Sequence, residues 1–500
     1  MNAQQSGPSP SAQAGPSAQA GPGPHSGGTV VVLACAGIVA ALMQTLVVPL
    51  VGELPQILHT TASNASWAVI ATLLAGAICT PVMGRLGDMF GKRRMLLISI
   101  LPLVAGSVIC ALADSLAPMV IGRALQGMGM GIVPLGISAV RDVVPAERVG
   151  SSIALISASL GIGGALGLPI AAAVAENMSW RVLFWGSAGL GAVIGALIWR
   201  VVPRIEPTGR GGFDYVGAAG LGSGLLCLLL TVSKGADWGW TSGTTLGLSA
   251  AGVVLLLLWG RWELRVTDPL VDLRVTARRQ VLLTNLASVV VGFSMYAQSL
   301  IVPQLLQLPE ATGYGLGQSM LAAGLWMMPG GLFMMALSPV GAKLSAARGP
   351  KVTLFVGSLV IAAGYISSLF LMGEAWGLMI VVCIGSTGVA LAYGAMPALI
   401  MSAVPQSETA AANGFNALMR SVGTSVSAAV VGVVLAQMTV RMGGYEIASE
   451  DGFRTGMLIG GGVALVAAAI TLAIPGRKAP LGERTAVSPA QQEASDLARS

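Results

Sequence analysis

The stretch Ile121-Gly122-Arg123-Ala124-Leu125-Gln126-Gly127-Met128-Gly129-Met130-Gly131 sets an arginine well inside an apolar run. At helical spacing Arg123, Gln126, Gly127 and Gly131 share one face. An arginine in a membrane span costs roughly 2.5–3.5 kcal/mol on insertion scales, so Arg123 is expected to face a polar cavity and a partner, either a protonatable group or the ligand itself. The alternative is a side chain that snorkels from a helix end to the interface, but the charge stands too deep in the run to favour it. A second constellation is Gly84-Arg85-Leu86-Gly87-Asp88-Met89-Phe90-Gly91-Lys92-Arg93-Arg94. Gly84 and Gly91 allow a tight helix-to-helix turn, Asp88 is placed to meet the positive end of a helix, and Lys92 and Arg93 belong among headgroups. A third, Gly161-Ile162-Gly163-Gly164-Ala165-Leu166-Gly167-Leu168-Pro169, offers Gly163 and Gly167 as a small-residue contact face and Pro169 as a bend.

These residues need long apolar elements to hold them, and the composition supplies them. The chain is 54% hydrophobic and 10% charged, with a mean hydropathy of +0.79, against roughly 25% charged residues in soluble proteins. Runs of about 20 apolar residues, enough to cross a ~30 Å hydrocarbon core, fall near 29–51, 66–84, 95–113, 117–140, 149–175, 182–199 and 215–233. Seven more fall near 244–260, 281–301, 318–341, 352–372, 376–402, 411–436 and 455–474. The 68 glycines fit such a chain, because membrane helices pack through small residues. The expected fold is an all-α polytopic membrane protein with fourteen transmembrane helices.

Of the 27 Lys and Arg residues, 21 fall in the segments after even-numbered spans or in the C-terminal tail, and only Arg181, Lys234, Arg441 and Arg454 on the other side. The positive-inside rule then predicts both termini in the cytoplasm and the chain in the cell's inner (plasma) membrane. The net charge of +6 calls for no nucleic acid. Residues 1–28 and 476–500 are polar and expected to be disordered cytoplasmic tails. The five cysteines lack ligand spacing and read as small core hydrophobes, so no metal site is expected.

Aligning 80–97 with 338–355 pairs Pro81 with Pro339, Arg85 with Lys343, Gly91 with Gly349 and Arg93 with Lys351, while Asp88 faces Ala346. Two related halves follow, 29–202 and 281–475, with 203–262 inserted as a two-helix hairpin and 263–280 as a cytoplasmic connector. The 84–94 stretch resembles the Gly-x-Leu-Ala-Asp-Arg-x-Gly-Arg-Lys loop of the major facilitator superfamily. Arg123-x-x-Gln126-Gly127-x-Gly129 is similar to a second signature of its proton-driven members, and Gly163 to Pro169 is similar to an antiporter signature, with Leu168 as a departure. With Ser179-Trp180-Arg181 and Asn413…Arg420-Ser421-Val422-Gly423, the resemblance is to the fourteen-span drug:proton antiporters over about 30–475. It implies two six-helix bundles plus two central helices, alternating access, and proton-driven efflux of amphipathic drugs or antibiotics. Coupling would fall to Arg123 and Gln126, and the conformational switch to Gly84, Asp88, Gly91, Lys92, Arg93, Gly163, Gly167 and Pro169. No cofactor is expected beyond a proton gradient, and no phosphate-binding loop is present.

One departure concerns the proton. Family members carry an aspartate in the first span, in Leu-Asp-x-Thr-Ile-Val, and here the stretch is Leu42-Met43-Gln44-Thr45-Leu46-Val47. All 21 carboxylates can be placed at span ends, in loops or in tails, and Glu53, roughly 15 Å of helix beyond Met43, is the nearest substitute for coupling, in an outer vestibule, with a solvated loop acid as the favoured alternative. Candidate contacts for a small amphipathic substrate are Met43, Gln44, Tyr296 and Gln298, with Trp326, Met327, Asn413 and Asn416. A monomer in the lipid bilayer is expected, and no convergent cluster suggests an enzyme. Export of amino acids, peptides or a self-made metabolite, or a non-transporting sensor on the same fold, are the competing readings.

Overall fold

A computed structural model describes residues 26–47, 50, 54–204, 207, 211–442 and 445–475. Fourteen helices in it are long and apolar enough to cross a membrane. They are α1 (Ser26–Thr45), α2 (Trp67–Phe90), α3 (Lys92–Ala111), α4 (Leu116–Val143), α5 (Ala146–Asn177), α6 (Arg181–Val201) and α7 (Tyr215–Trp238). Then follow α8 (Gly243–Glu263), α9 (Arg279–Gln307), α10 (Met320–Arg348), α11 (Pro350–Leu371), α12 (Ala375–Met401), α13 (Thr409–Gln437) and α14 (Glu450–Ala473). In lipid a backbone amide has no water to bind, so each apolar run satisfies its own amides by coiling.

Polar residues mark the helix ends. Asp214 caps α7 by accepting from the Gly217 amide at 2.7 Å, and Ser319 and Ser449 cap α10 and α14 in the same way. Gly91 and Gly349, at φ +90° and +88°, divide α2 from α3 and α10 from α11 at matching places in the two halves. Two details differ from the sequence expectation. Residues 84–90 belong to α2, leaving Gly91 alone to make the turn, and α4 is interrupted by a 3₁₀ turn at Gly129–Gly131. α1 begins at Ser26, inside the segment read as a tail, whose residues 1–25, like 476–500, lie outside the described residues.

Helices α1–α6 enclose two apolar clusters, one around Leu33, Leu96 and Ile137, the other around Leu46, Met119 and Phe184. Helices α9–α14 enclose another around Ile301, Leu354 and Met396. The two bundles meet where α2 packs on α13 and α5 on α10. The α7–α8 hairpin covers one of these seams, with Leu221, Leu225 and Leu229 of α7 against Ala77 of α2 and Leu418 of α13. Its return segment carries a short helix, Leu273–Thr276, capped by Asp272, and Glu263 accepts from the Val271 amide at 3.4 Å. Beyond α13, strands β1 (Thr439–Met442) and β2 (Tyr445–Ala448) form an antiparallel hairpin that Tyr314 ties down through the Ala448 carbonyl.

Candidate functional site

The end of the molecule that carries the basic residues is held shut by polar contacts between the bundles. A Cβ on Gly84 would stand 2.4 Å from the Ala410 carbonyl oxygen, so glycine is what lets α2 approach the start of α13. That approach brings Asp88, fully buried, to the first turn of α13. Its carboxylate accepts from the amides of Ala410, at 3.0 and 3.2 Å from its two oxygens, and Ala411, at 2.9 Å. The opening amides of a helix have no intrahelical acceptor and carry the positive end of its dipole. One bundle therefore caps a helix of the other.

Lys92 stands 4.0 Å from Asp88 and donates to Asp142 at 2.5 Å and to Thr409 at 3.2 Å. Thr409 also bonds Ser138 at 2.8 Å, Arg141 donates to the Met401 carbonyl at 2.9 Å, and Gln406 donates to Asp142 at 3.2 Å. The placement of Lys92 among headgroups is corrected here. It is 1% exposed, because Asp142 and Thr409 meet its charge inside the protein. Arg93 donates to the Trp199 carbonyl at the end of α6, and its counterpart Lys351 to the Leu472 carbonyl at the end of α14, at 2.9 Å. Ala346, opposite Asp88 in the repeat, is exposed and takes no part.

This closure can be tested by sterics alone. A Cβ on Gly394 of α12 would lie 3.3 Å from the Ala154 Cβ of α5, so an Ala154→Cys, Gly394→Cys pair in a chain freed of its native cysteines should cross-link readily. Adding Gly84→Val should cut the cross-linking rate several-fold. An unchanged rate would mean that α2 and α13 need not approach for the end to close.

Arg123, 1% exposed, is the largest of the fully buried side chains. Its Nε donates to the Ala68 carbonyl at 2.8 Å and its Nη1 to the Met43 carbonyl at 3.1 Å and to Gln126 Oε1 at 2.7 Å. Gln126 donates to Ser107 at 2.8 Å. One guanidinium thus ties α1, α2 and α4 together, and Gln126 extends the network to α3. The expected protonatable or ligand partner is replaced by backbone carbonyls and an amide. A planar multi-donor head reaches several neutral acceptors at once and disperses its charge over them. Met43, at the position of the family's acid, supplies only its carbonyl, and its side chain lies in the apolar core of α1–α6.

The other residues singled out in the sequence are dispersed. Gly163 packs on the Ile38 carbonyl and Gly167 on Thr45, both within the first bundle, whereas Pro169 faces Gly324 of α10 across the seam. Gly161, passed over in the sequence as a contact residue, meets Met334 of α10. Glu53 lies outside the described residues. Gln44, Tyr296 and Met327 are half-buried. Gln298 donates to the Val381 carbonyl at 3.1 Å, Trp326 to Gln318 at 3.1 Å and Asn413 to the Thr409 carbonyl at 2.9 Å. Of the eight substrate candidates, Asn416 alone enters a polar cluster of several side chains. It donates to Asn285 at 2.9 Å and Ser288 at 2.7 Å and accepts from Arg420 at 2.7 Å. The Arg420 guanidinium lies 5.0 Å from the ring centre of Tyr393. Sequence reasoning had the signal for Arg420, an arginine deep in a span, but none for Asn285, Ser288 or Tyr393, whose residue types are ordinary in such helices.

The family model for the Major Facilitator Superfamily matches residues 33–428. The chain belongs to that superfamily. It is a multi-pass membrane protein of this family. It is 26% identical to the tetracenomycin C resistance and export protein of Streptomyces glaucescens over 423 residues, 82% of this chain and 76% of that protein. It is 25% identical to the uncharacterized MFS-type transporter YhcA of Bacillus subtilis over 331 residues, 66% of this chain and 61% of that protein, so it spans less than two thirds of that relative. The human organic anion transporter MFSD10 (TETRAN) superposes with a TM-score of 0.63 at 15% identity, over 90% of this chain and all of that one, which shows the shared fold.

Proposed function

We propose that this facilitator is a secondary active exporter that moves amphipathic small molecules, antibiotics among them, out of the cell by alternating access. The energy is the proton-motive force. The basic end faces the cytoplasm and both termini lie there, in the inner (plasma) membrane. The observation that carries the reading is the Asp88 latch: a charged contact between the bundles, at the basic end of the spans, that must break for that end to open. Each charge-assisted bond is worth about 1.5–3 kcal/mol, comparable with the few kcal/mol that separate interconverting conformers. It can therefore bias the equilibrium without freezing it. The conformer described is the one closed to the cytoplasm. The tetracenomycin C resistance and export protein among its relatives supports export as the direction and a small molecule of the tetracenomycin C kind as the cargo.

Proteoliposomes test this directly. A panel of aromatic antibiotics should accumulate in inside-out vesicles when a proton-motive force is imposed, and should not when it is collapsed. Absence of gradient-dependent movement for any member of a broad panel would overturn the export reading. Topology has its own check. Reporters fused after Arg94 and after Lys351 should be cytoplasmic and one at Asp237 external, and placing Arg94 and Lys351 on opposite faces would discard the orientation.

A further inference from the structure

Arg420 lies eleven residues into α13, about 16 Å from its start and so near mid-membrane. It is half-buried. Its Nη1 bonds Asn416, its face rests on Tyr393, whose side chain also bonds it, and a guanidinium carries five N–H donors, more than these two partners require. Asn416 is itself held by Asn285 and Ser288, so the guanidinium is oriented before anything binds. Its backbone packs on Gly292 of α9 within its own bundle, and the seam between the bundles lies beside it. Gly394, next to Tyr393, lies against Ala154 of α5, and Gly414, on the same helix as Arg420, lies against Thr80 and Pro81 of α2. No carboxylate is near enough to neutralise it: every Asp and Glu among the described residues lies within two residues of a helix end or between helices. Arg123 adds a buried cation in the opposite bundle, and among the described residues its hydrogen-bond partners are neutral.

We propose that the cargo is an organic anion, a carboxylate, sulfonate or phosphate on an apolar body, whose charge sits on the remaining donors of the Arg420 guanidinium. The proposal rests on the export reading and narrows its substrate class. A planar fork matches these oxyanions with paired hydrogen bonds, and two uncompensated arginines repel a lipophilic cation. The same charge answers how transport proceeds with methionine at the acid position of the first span. An inside-negative potential of about 100 mV, the electrical component of the proton-motive force, drives a monovalent anion outward against a roughly fifty-fold gradient, and that movement requires no titrating side chain.

The test uses two probes with one body, 4-(pyren-1-yl)butanesulfonate and 4-(pyren-1-yl)butyltrimethylammonium, with the full chain in phosphatidylcholine vesicles, so that no anionic lipid can supply the charge. Binding is read by energy transfer from tryptophan to pyrene, and export by probe flux under a valinomycin-set potential. The sulfonate should bind at least tenfold more tightly than the ammonium, and the potential should drive it out. Arg420→Gln should remove that preference, and Arg420→Lys should restore part of it. Retained ammonium binding shows that the variants are folded. Preference for the ammonium, or equal loss of both probes in Arg420→Gln with rescue of neither in Arg420→Lys, overturns the proposal. Sulfonate that binds through Arg420 but is not moved upholds the site and counts against the export reading. Ammonium that is moved while sulfonate does not bind does the reverse.

Discussion

Replacing Asp88 with asparagine is expected to slow transport at least tenfold while expression and ligand binding stay close to normal. The carboxylate is fully buried and faces two helix-start amides. Asparagine keeps its shape and can accept one such bond through its carbonyl, but its amide group turns donors toward donors. The negative charge that answers the α13 dipole and Lys92 is lost. A loss of about 1.5–3 kcal/mol shifts the balance of conformers roughly tenfold to 150-fold toward the form open at the basic end. The Ala154→Cys, Gly394→Cys cross-link should form correspondingly more slowly in this variant, which separates a lost latch from misfolding. Ala346→Ser, at the repeat-related position, should transport normally. Equal slowing by both would mean that the two halves share the gating load.

Arg123 carries the second large effect. Arg123→Ala should abolish gradient-driven transport and lower thermal stability, because it leaves the Gln126 carbonyl oxygen buried without its donor and a guanidinium-sized void among α1, α2 and α4. Arg123→Lys keeps the charge, yet a single ammonium on a flexible stem cannot reproduce the three bonds the fork now makes. A transport loss of tenfold or more is expected, with near-normal folding. Wild-type rates in both variants, measured on well-expressed protein in proteoliposomes, would reduce Arg123 to an incidental buried charge. Because its partners are carbonyls, its work is to hold the first, second and fourth spans in register. The pH profile of transport should then be the same in Arg123→Lys as in wild type, and a shifted profile would point to proton coupling through this site.

Much of the candidate site was legible residue by residue and almost none of it pair by pair. Asp88 could be assigned to a helix end from its place in the motif, but nothing in the chain near it names α13, whose first turn lies 322 residues away. Lys92 reads as a surface lysine because basic clusters beside membrane spans commonly are. Its burial depends on Asp142 and Thr409, two residues with no spacing relation to it. Arg420 met the same criterion as Arg123, yet that it rests on Tyr393 and bonds Asn416, with no acid bonded to it among the described residues, depends on how α12 and α13 lie together.

What the sequence by itself determined is the number, order and approximate ends of the fourteen helices. Lipid offers no hydrogen bonds, so each apolar run of sufficient length must satisfy its own backbone, and that requirement is local. The matching glycine turns at Gly91 and Gly349 belong to the same level, since positive φ is a property of one residue. Only the tertiary structure decided which helices touch. Between apolar helices in lipid there is little hydrophobic drive to choose a partner, so the choice falls to small-residue contacts and a few polar bonds between distant segments. Gly84 against Ala410, Arg123 across the first, second and fourth spans, the hairpin on the α2–α13 seam, and Arg420 on Tyr393 are all of that kind.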